Sequence, residues 1–323
     1  MDIGIIRYTE SFRQKWDEFV LGSINGTFLH SRSFYDHNPK NALDDNSFLF
    51  VKKNTIVALI PCNLYLKNDR RILHSSLRGT YGGFVVGDLI GAQEAVDMVA
   101  LLKIEAKKLG VHQIIIRNPF RIFNAKVCDE TDYAMWYHGF EILYRELETT
   151  IKLGEYSIVS NAFTSSTKRN IKKGRQNLTI KESSDYSGYW EVLTKNLSEK
   201  HGILPTHAYP EFIQLIESVG DEKIKLFVAC VDKEIVAGIV LFIKNPFVVH
   251  AQYICSDAEF QELRPLNAVI DEIIQWACSR RFHYLNLGTS NFDAGKGINE
   301  GLFRFKEGFG GRNVLRETMH LQL

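Results

Sequence analysis

A lysine framed by aromatic residues carries the sharpest chemical signal in this sequence. In Asn299-Glu300-Gly301-Leu302-Phe303-Arg304-Phe305-Lys306-Glu307-Gly308-Phe309-Gly310-Gly311, apolar residues alternate around Lys306 and a glycine turn follows. On a helix, Leu302, Phe305 and Phe309 share one face and Lys306 points near its edge. An ammonium fixed there can meet a phosphate or a developing oxyanion. The spacing alone also suits a surface lysine on an amphipathic helix. Asn299, at the start of the segment, is a candidate substrate contact.

Four other groups have residue types suited to chemistry. Glu199, His201, His207 and Glu211 lie close together around Gly202 and Pro205. An imidazole near carboxylates can act as a general base at neutral pH, and His207 is the candidate. The competing reading is a structural His207, bonded to backbone in a proline loop. No pair in this group has a recognised metal-ligand spacing, so no metal is expected. The basic run Lys168, Arg169, Lys172, Lys173 and Arg175 places Lys168 and Lys172 one helical turn apart, and likewise Arg169 and Lys173. Like charges repel, so such a patch gains from binding nucleotide, CoA or tRNA phosphates. A solvated helix face explains it equally well. Tyr81-Gly82-Gly83 offers backbone donors to a substrate, or simply a tight turn between strands. Gly288-Thr289-Ser290-Asn291 reads as a polar rim at a strand end. A Ser–His–Asp hydrolase has no support, because no GxSxG elbow occurs.

The elements that must position these residues are built twice. Phe48-Leu49-Phe50-Val51, a polar turn and Ile56–Ile60 form one hairpin pattern; Lys225–Ala229, Asp232-Lys233-Glu234 and Ile235–Val240 form the other. Each is followed by a helix–strand pair: Ala92–Leu109 with Gln113–Arg117, and Leu266–Arg281 with His283–Leu287. So long a repeat means two copies of one domain, with a cleft expected between them. Strands are also predicted at 72–76, 140–146, 149–153, 247–254 and 315–321, and helices at 9–21, 133–138, 187–201 and 209–218. Ser165-Ser166-Thr167 are expected N-caps of the basic helix and Gly174 its C-cap. Hairpins alternating with helices give an α/β (α+β) fold of mixed sheets, divided at 1–147 and 148–323. No GxGxxG follows a first strand, which excludes a dinucleotide-binding Rossmann fold.

Composition agrees. The 323 residues are 45% hydrophobic and 24% charged, enough for two buried cores. A net charge of +1 confines any polyanion affinity to local patches. The five cysteines are scattered without a CxxC pair, as expected for reduced, buried thiols. Met1–Arg7 lacks a secretory signal, and no apolar run approaches the ~20 residues that span a bilayer. A soluble, cytoplasmic protein is the expectation.

The sequence resembles the Fem-type, tandem-GNAT acyltransferases. The matching segments are Asn25–Ser31, Leu59-Ile60-Pro61, Tyr81-Gly82-Gly83, Lys168–Lys173, Pro205-Thr206-His207 and Phe305–Gly310. The resemblance implies two tandem GNAT-like domains and transfer of an acetyl or aminoacyl group to an amine or hydroxyl, with a cell-envelope or surface-polysaccharide precursor as acceptor. It implies that Lys306 is important for transfer, and that Tyr253 protonates a leaving group, with core packing as the alternative. Acyl-CoA is the implied small-molecule donor. Aminoacyl-tRNA is the runner-up, lowered by the lack of a long heptad arm. A catalytically silent GNAT-fold binding protein is the third reading. One departure stands out: Phe260–Asn267, where GNAT enzymes cradle a pyrophosphate, contains no glycine. Donor phosphates are therefore assigned to Lys168, Arg169 and Lys172, and to Arg264 before Pro265.

Overall fold

The computed structural model describes residues 2–38, 42–75 and 78–323, and all their side chains except those of Lys200 and His201. Ser76, the last residue of one predicted strand, and the His201 side chain lie outside the described residues. The chain divides into two compact units, Met1–Glu146 with Leu315–Leu323, and Leu147–Val314.

Unit 1 opens with β1 (Ile3–Arg7), α1 (Arg13–Gly22) and α2 (Arg32–Asp36), followed by the hairpin β2 (Phe48–Lys52) and β3 (Thr55–Ile60). Then come β4 (Cys62–Lys67), β5 (Arg70–Ser75), β6 (Val85–Val86), α3 (Ala92–Lys108), β7 (Gln113–Arg117) and α4 (Glu130–Tyr137). The next strand, β8 (Glu141–Lys152), begins in unit 1 and ends in unit 2. It is one continuous strand where two were predicted. Unit 2 continues with α5 (Tyr156–Asn161), α6 (Ser165–Asn177), β9 (Thr179–Ser183), α7 (Tyr186–His201) and α8 (Tyr209–Val219). Its centre is β10 (Ile224–Val231), β11 (Glu234–Asn245), β12 (Val248–Ser256), α9 (Pro265–Ser279) and β13 (Tyr284–Thr289). A small hairpin, β14 (Asn291–Phe292) with β15 (Gly297–Ile298), leads to α10 (Glu300–Glu307). Finally, β16 (Arg312–Gln322) starts in unit 2, and its last residues pair with β7 in unit 1. The sequence-based division gave residues 315–323 to the second half, whereas here they lie in unit 1.

The two units repeat one topology. In unit 1, β1, β2, β3 and β6 are antiparallel neighbours, and β4, β5 and β7 follow with β5 and β7 parallel. In unit 2, β9, β10, β11 and β12 are antiparallel, and β12 and β13 are parallel. Even irregularities recur. The first hairpin is bulged between Phe50 and Val51, the second between Ala229 and Cys230. The parallel pairing ends at His74–Ile115 in one unit and at His250–Asn286 in the other. After the short helix, each unit turns through a left-handed glycine, Gly139 (φ 82°) and Gly310 (φ 75°). One difference has a simple cause: Pro61 separates β3 from β4, where β11 runs unbroken, because proline has no N–H for the ladder.

Helical periodicity builds each core. α3 buries Ala95, Met98, Val99, Leu102 and Ala106 along one stripe. α9 starts with Pro265, whose fixed φ suits the first helical position, and buries Val269, Ile270, Ile273, Ile274 and Ala277. The latter pack with Ile239, Leu241, Val249, Ala251, Leu285 and Leu287 from one face of the unit 2 sheet. Truncating one such residue to alanine typically costs ~2–5 kcal/mol. Asn286 and His250 alternate with these apolar residues and so face the other way.

Candidate active site

Lys306 is placed by α10. Asn299 caps this helix, its Oδ1 accepting from Leu302 N at 3.0 Å, and its own N–H donates to Ser290 O at 2.9 Å. That gives Asn299 a capping role in place of the expected substrate contact. Phe303 and Lys306, one turn apart, are the buried residues of α10, whereas Leu302 is exposed. The face predicted from spacing is therefore rotated, and the lysine points inward instead of lying at the edge. Glycines allow the helix to sit this deep. A Cβ at Gly308 would stand 2.6 Å from Thr167 Oγ1, and one at Gly311 would stand 2.5 Å from Thr149 Cγ2.

The ammonium donates to the carbonyls of Gly288 at 2.9 Å and Thr289 at 2.7 Å. Two of its three N–H bonds are thus committed, and one remains. Burial pulls its pKa down to about 8, partly offset by the carboxylate of Glu148. Glu148 on β8 is itself buried, at 1% exposure. It also acts on Lys244 of β11, which burial lowers to about 7 and whose Nζ lies 4.9 Å from the Phe242 ring centre. Two lysines and one carboxylate therefore share the buried interior of unit 2.

Beyond His250 and Asn286, β12 and β13 no longer pair, although both continue. Past this parting β13 carries the Gly288–Thr289 carbonyls. β12 carries Tyr253, re-aimed by a bulge that leaves Gln252 without a partner in the register. His207 Nδ1 and the Tyr253 hydroxyl are hydrogen-bonded, so these two predicted site residues are brought together. His207 therefore reaches the tyrosine through its ring nitrogen. The Trp190 ring lies 5.3 Å from that of Tyr253 and stacks on Phe212 at 4.5 Å. Burial pushes the phenol well above its ordinary range, so Tyr253 keeps its proton. Beside α10, Leu147, Ile298, Glu300, Phe303, Arg304, Glu307 and Asn313 line an open groove of about 320 Å³.

The basic helix differs from expectation in two ways. Its N-cap is Thr164, whose Oγ1 accepts from Thr167 N at 3.2 Å, and Ser165–Thr167 are already helical. Gly174 is no cap but an interior residue, and a Cβ there would meet Ala268 Cβ at 2.8 Å and Arg264 O at 3.0 Å. The helix thus lies against the first turn of α9. The glycine missing from 260–267 has a partial substitute, since Arg264 itself adopts the left-handed conformation (φ 61°) before Pro265. Lys168, Arg169, Lys172 and Lys173 are exposed, but Arg175 is tied to Asp271 at 2.6 Å and Glu272 at 2.9 Å.

Tyr81, Gly82 and Gly83 belong to the interior of unit 1. Tyr81 is fully buried, with its hydroxyl on Thr27 Oγ1 at 3.0 Å and its ring against Phe120 and Phe123. Gly82 N donates to Arg117 O at 2.9 Å and Gly83 N to Ser75 Oγ at 3.1 Å. Their donors are spent internally, which corrects the expectation of substrate contacts there. Glu148, Lys244, His250 and Asn286 went unnoticed in the sequence. The available signal was a polar residue inside an apolar run, as in Leu285-Asn286-Leu287 and Ile243-Lys244.

Among the described residues, no group of three or more His, Cys, Asp and Glu is arranged to hold a metal, and no helix is long and apolar enough to cross a membrane. Residues 163–306 match the acetyltransferase (GNAT) domain family. No curated protein matches the sequence. Among solved structures, FemX is similar with a TM-score of 0.74 at 13% identity, over 99% of this chain and 97% of that one. A tandem GNAT protein from the clavulanic acid biosynthesis pathway gives 0.59 at 7% identity, over 99% and 98%. L-PGS from Bacillus licheniformis gives 0.55 at 13%, over 81% and 80%. Residues 163–306 thus resemble an acetyltransferase (GNAT) domain, and the chain as a whole shares the fold of FemX and of the tandem GNAT protein.

Proposed function

We propose that this protein transfers an acyl group from an activated donor directly to an amine or hydroxyl, with Lys306 stabilising the oxyanion of the tetrahedral intermediate. The observation that carries this reading is the Lys306 ammonium, buried yet fixed by two carbonyls with one N–H left over. A preorganised donor in a dry site costs little reorganisation as charge develops. Tyr253, kept protonated by burial and oriented by His207, is suited to give a proton to the departing group. Orientation and electrostatics suffice, so no covalent intermediate is invoked.

Acyl-CoA is the proposed donor, with its phosphates at Lys168, Arg169, Lys172 and Arg264. Contact between α6 and the Arg264 turn supports grouping these residues. An amino sugar or other envelope precursor is the proposed acceptor, by analogy with the Fem-type group. The test is transfer from radiolabelled acetyl-CoA to a panel of amino sugars. Lys306→Met should fold and lose ~10²–10³ in rate. Full turnover in that variant would move the chemistry away from Lys306.

A further inference from the structure

We propose that Asn286, clamped between His250 and Thr150, is the positioning residue for Lys306. The inference rests on the reading of Lys306 as the transfer site, but its geometry stands separately. Asn286 Oδ1 accepts from Gly288 N at 3.1 Å, the peptide next to the carbonyls that hold Lys306. Gly288 sits at φ 74°, a left-handed conformation that glycine adopts readily, and the Asn286 bond holds its N–H in this turn. Asn286 Nδ2 donates to Thr150 Oγ1 at 3.0 Å, which fixes the amide with its oxygen towards Gly288. The 2.5 Å contact from His250 Nδ1 to the same oxygen is then a donation, and the imidazole tautomer follows. Asn286 is fully buried and His250 nearly so.

Unit 1 shows that the frame does not need this amide. The rung equivalent to His250–Asn286 is His74–Ile115, and β7 forms with isoleucine in that place. The turn after α4 matches that after α10, with His138 N on Met135 O and Phe309 N on Lys306 O, both at 3.2 Å. Met135 therefore stands where Lys306 does. The copy with the lysine has the asparagine, and the copy without it has neither. Asn286 thus serves the lysine, not the strand.

The test is NMR titration of protein labelled with ¹³Cε-lysine, the Lys306 signal being assigned by its loss in Lys306→Met. Asn286→Ile, the residue unit 1 uses, should loosen the turn and move the Lys306 midpoint down by about one unit, the scale of losing a hydrogen bond to a charged group. Asn286→Asp keeps the acceptor and adds a negative charge, so the midpoint should move up. His250→Asn retains a donor near Nδ1 and should stay close to wild type, whereas His250→Leu should follow Asn286→Ile. In the acyl-transfer assay, Asn286→Ile should lose about 10- to 100-fold in kcat with KM little changed. An unmoved Lys306 midpoint in both Asn286 variants would overturn the proposal and leave the transfer reading intact. Conversely, an active Lys306→Met would remove that reading while the titration shifts remained measurable.

Discussion

Met135 and Lys306 occupy the same position in two copies of one motif, each with its carbonyl accepting from the third residue onward at 3.2 Å. Both side chains are buried, but one is apolar and the other charged. The apolar solution is the cheaper, since burial alone pulls the lysine towards its neutral form. Lys306→Met should therefore hold or raise Tm below pH 8 while slowing transfer ~10²–10³-fold. Met135→Lys should destabilise unit 1 by on the order of 4 kcal/mol, as an uncompensated charge in a core does. Thermal unfolding of the two variants checks both directions.

Activity should fall as pH rises through about 8. Lys306 is cationic below its lowered pKa and neutral above it, and only the cation stabilises an oxyanion. The measurement is kcat against pH at saturating donor. Lys306→Arg, slower overall, should lose this alkaline limb because a guanidinium stays charged.

Lys244 ties pH to stability in place of activity. Its folded pKa, about 7, lies below the ordinary value of 10.5, so the unfolded chain binds more protons between these values. Stability attributable to this group therefore rises with pH across that window and is lost as pH falls to about 7. Lys244→Met should be the more stable protein near pH 6, by at least ~1 kcal/mol or ~2–4 °C. The advantage should shrink towards pH 10. A constant gap across the range would rule out a buried, titrating Lys244.

Gly174→Ala separates packing from propensity. On an exposed helix face alanine would gain ~1 kcal/mol over glycine. Here the added methyl meets Ala268 and the Arg264 carbonyl, so we expect a loss of ~1–3 kcal/mol in chemical denaturation.

Charge reversal probes the donor site. Lys172→Glu and Arg264→Glu should each weaken acetyl-CoA binding roughly two- to tenfold, with wild-type affinity falling as salt rises. Calorimetric titration at two ionic strengths reads both; equal affinity in all three proteins would leave these residues as plain surface charge.

Local patterns made the fold legible. Both hairpins follow from apolar strands around short polar turns, in one case with Lys53 and Asn54 in the left-handed conformation the turn needs. What escaped the sequence was set by distant neighbours. Gly174 reads as a cap because a glycine that ends a helix and one that admits another chain look alike; Ala268 decides between them. The rotation of α10 that buries Phe303 and Lys306 depends on what the helix packs against, not on its own period. Glu148, His250 and Asn286 come from three strands, and strand register alone makes them neighbours.

The exchange of terminal strands has a consequence for biosynthesis. Unit 1 is closed along β7 by residues 318–322, which the ribosome adds only after all of unit 2. Until then β7 presents an open edge of amide and carbonyl groups, a template for pairing with another chain. The first unit of this protein thus matures last, and a nascent chain halted before β16 carries an unfinished sheet however complete its second unit has become.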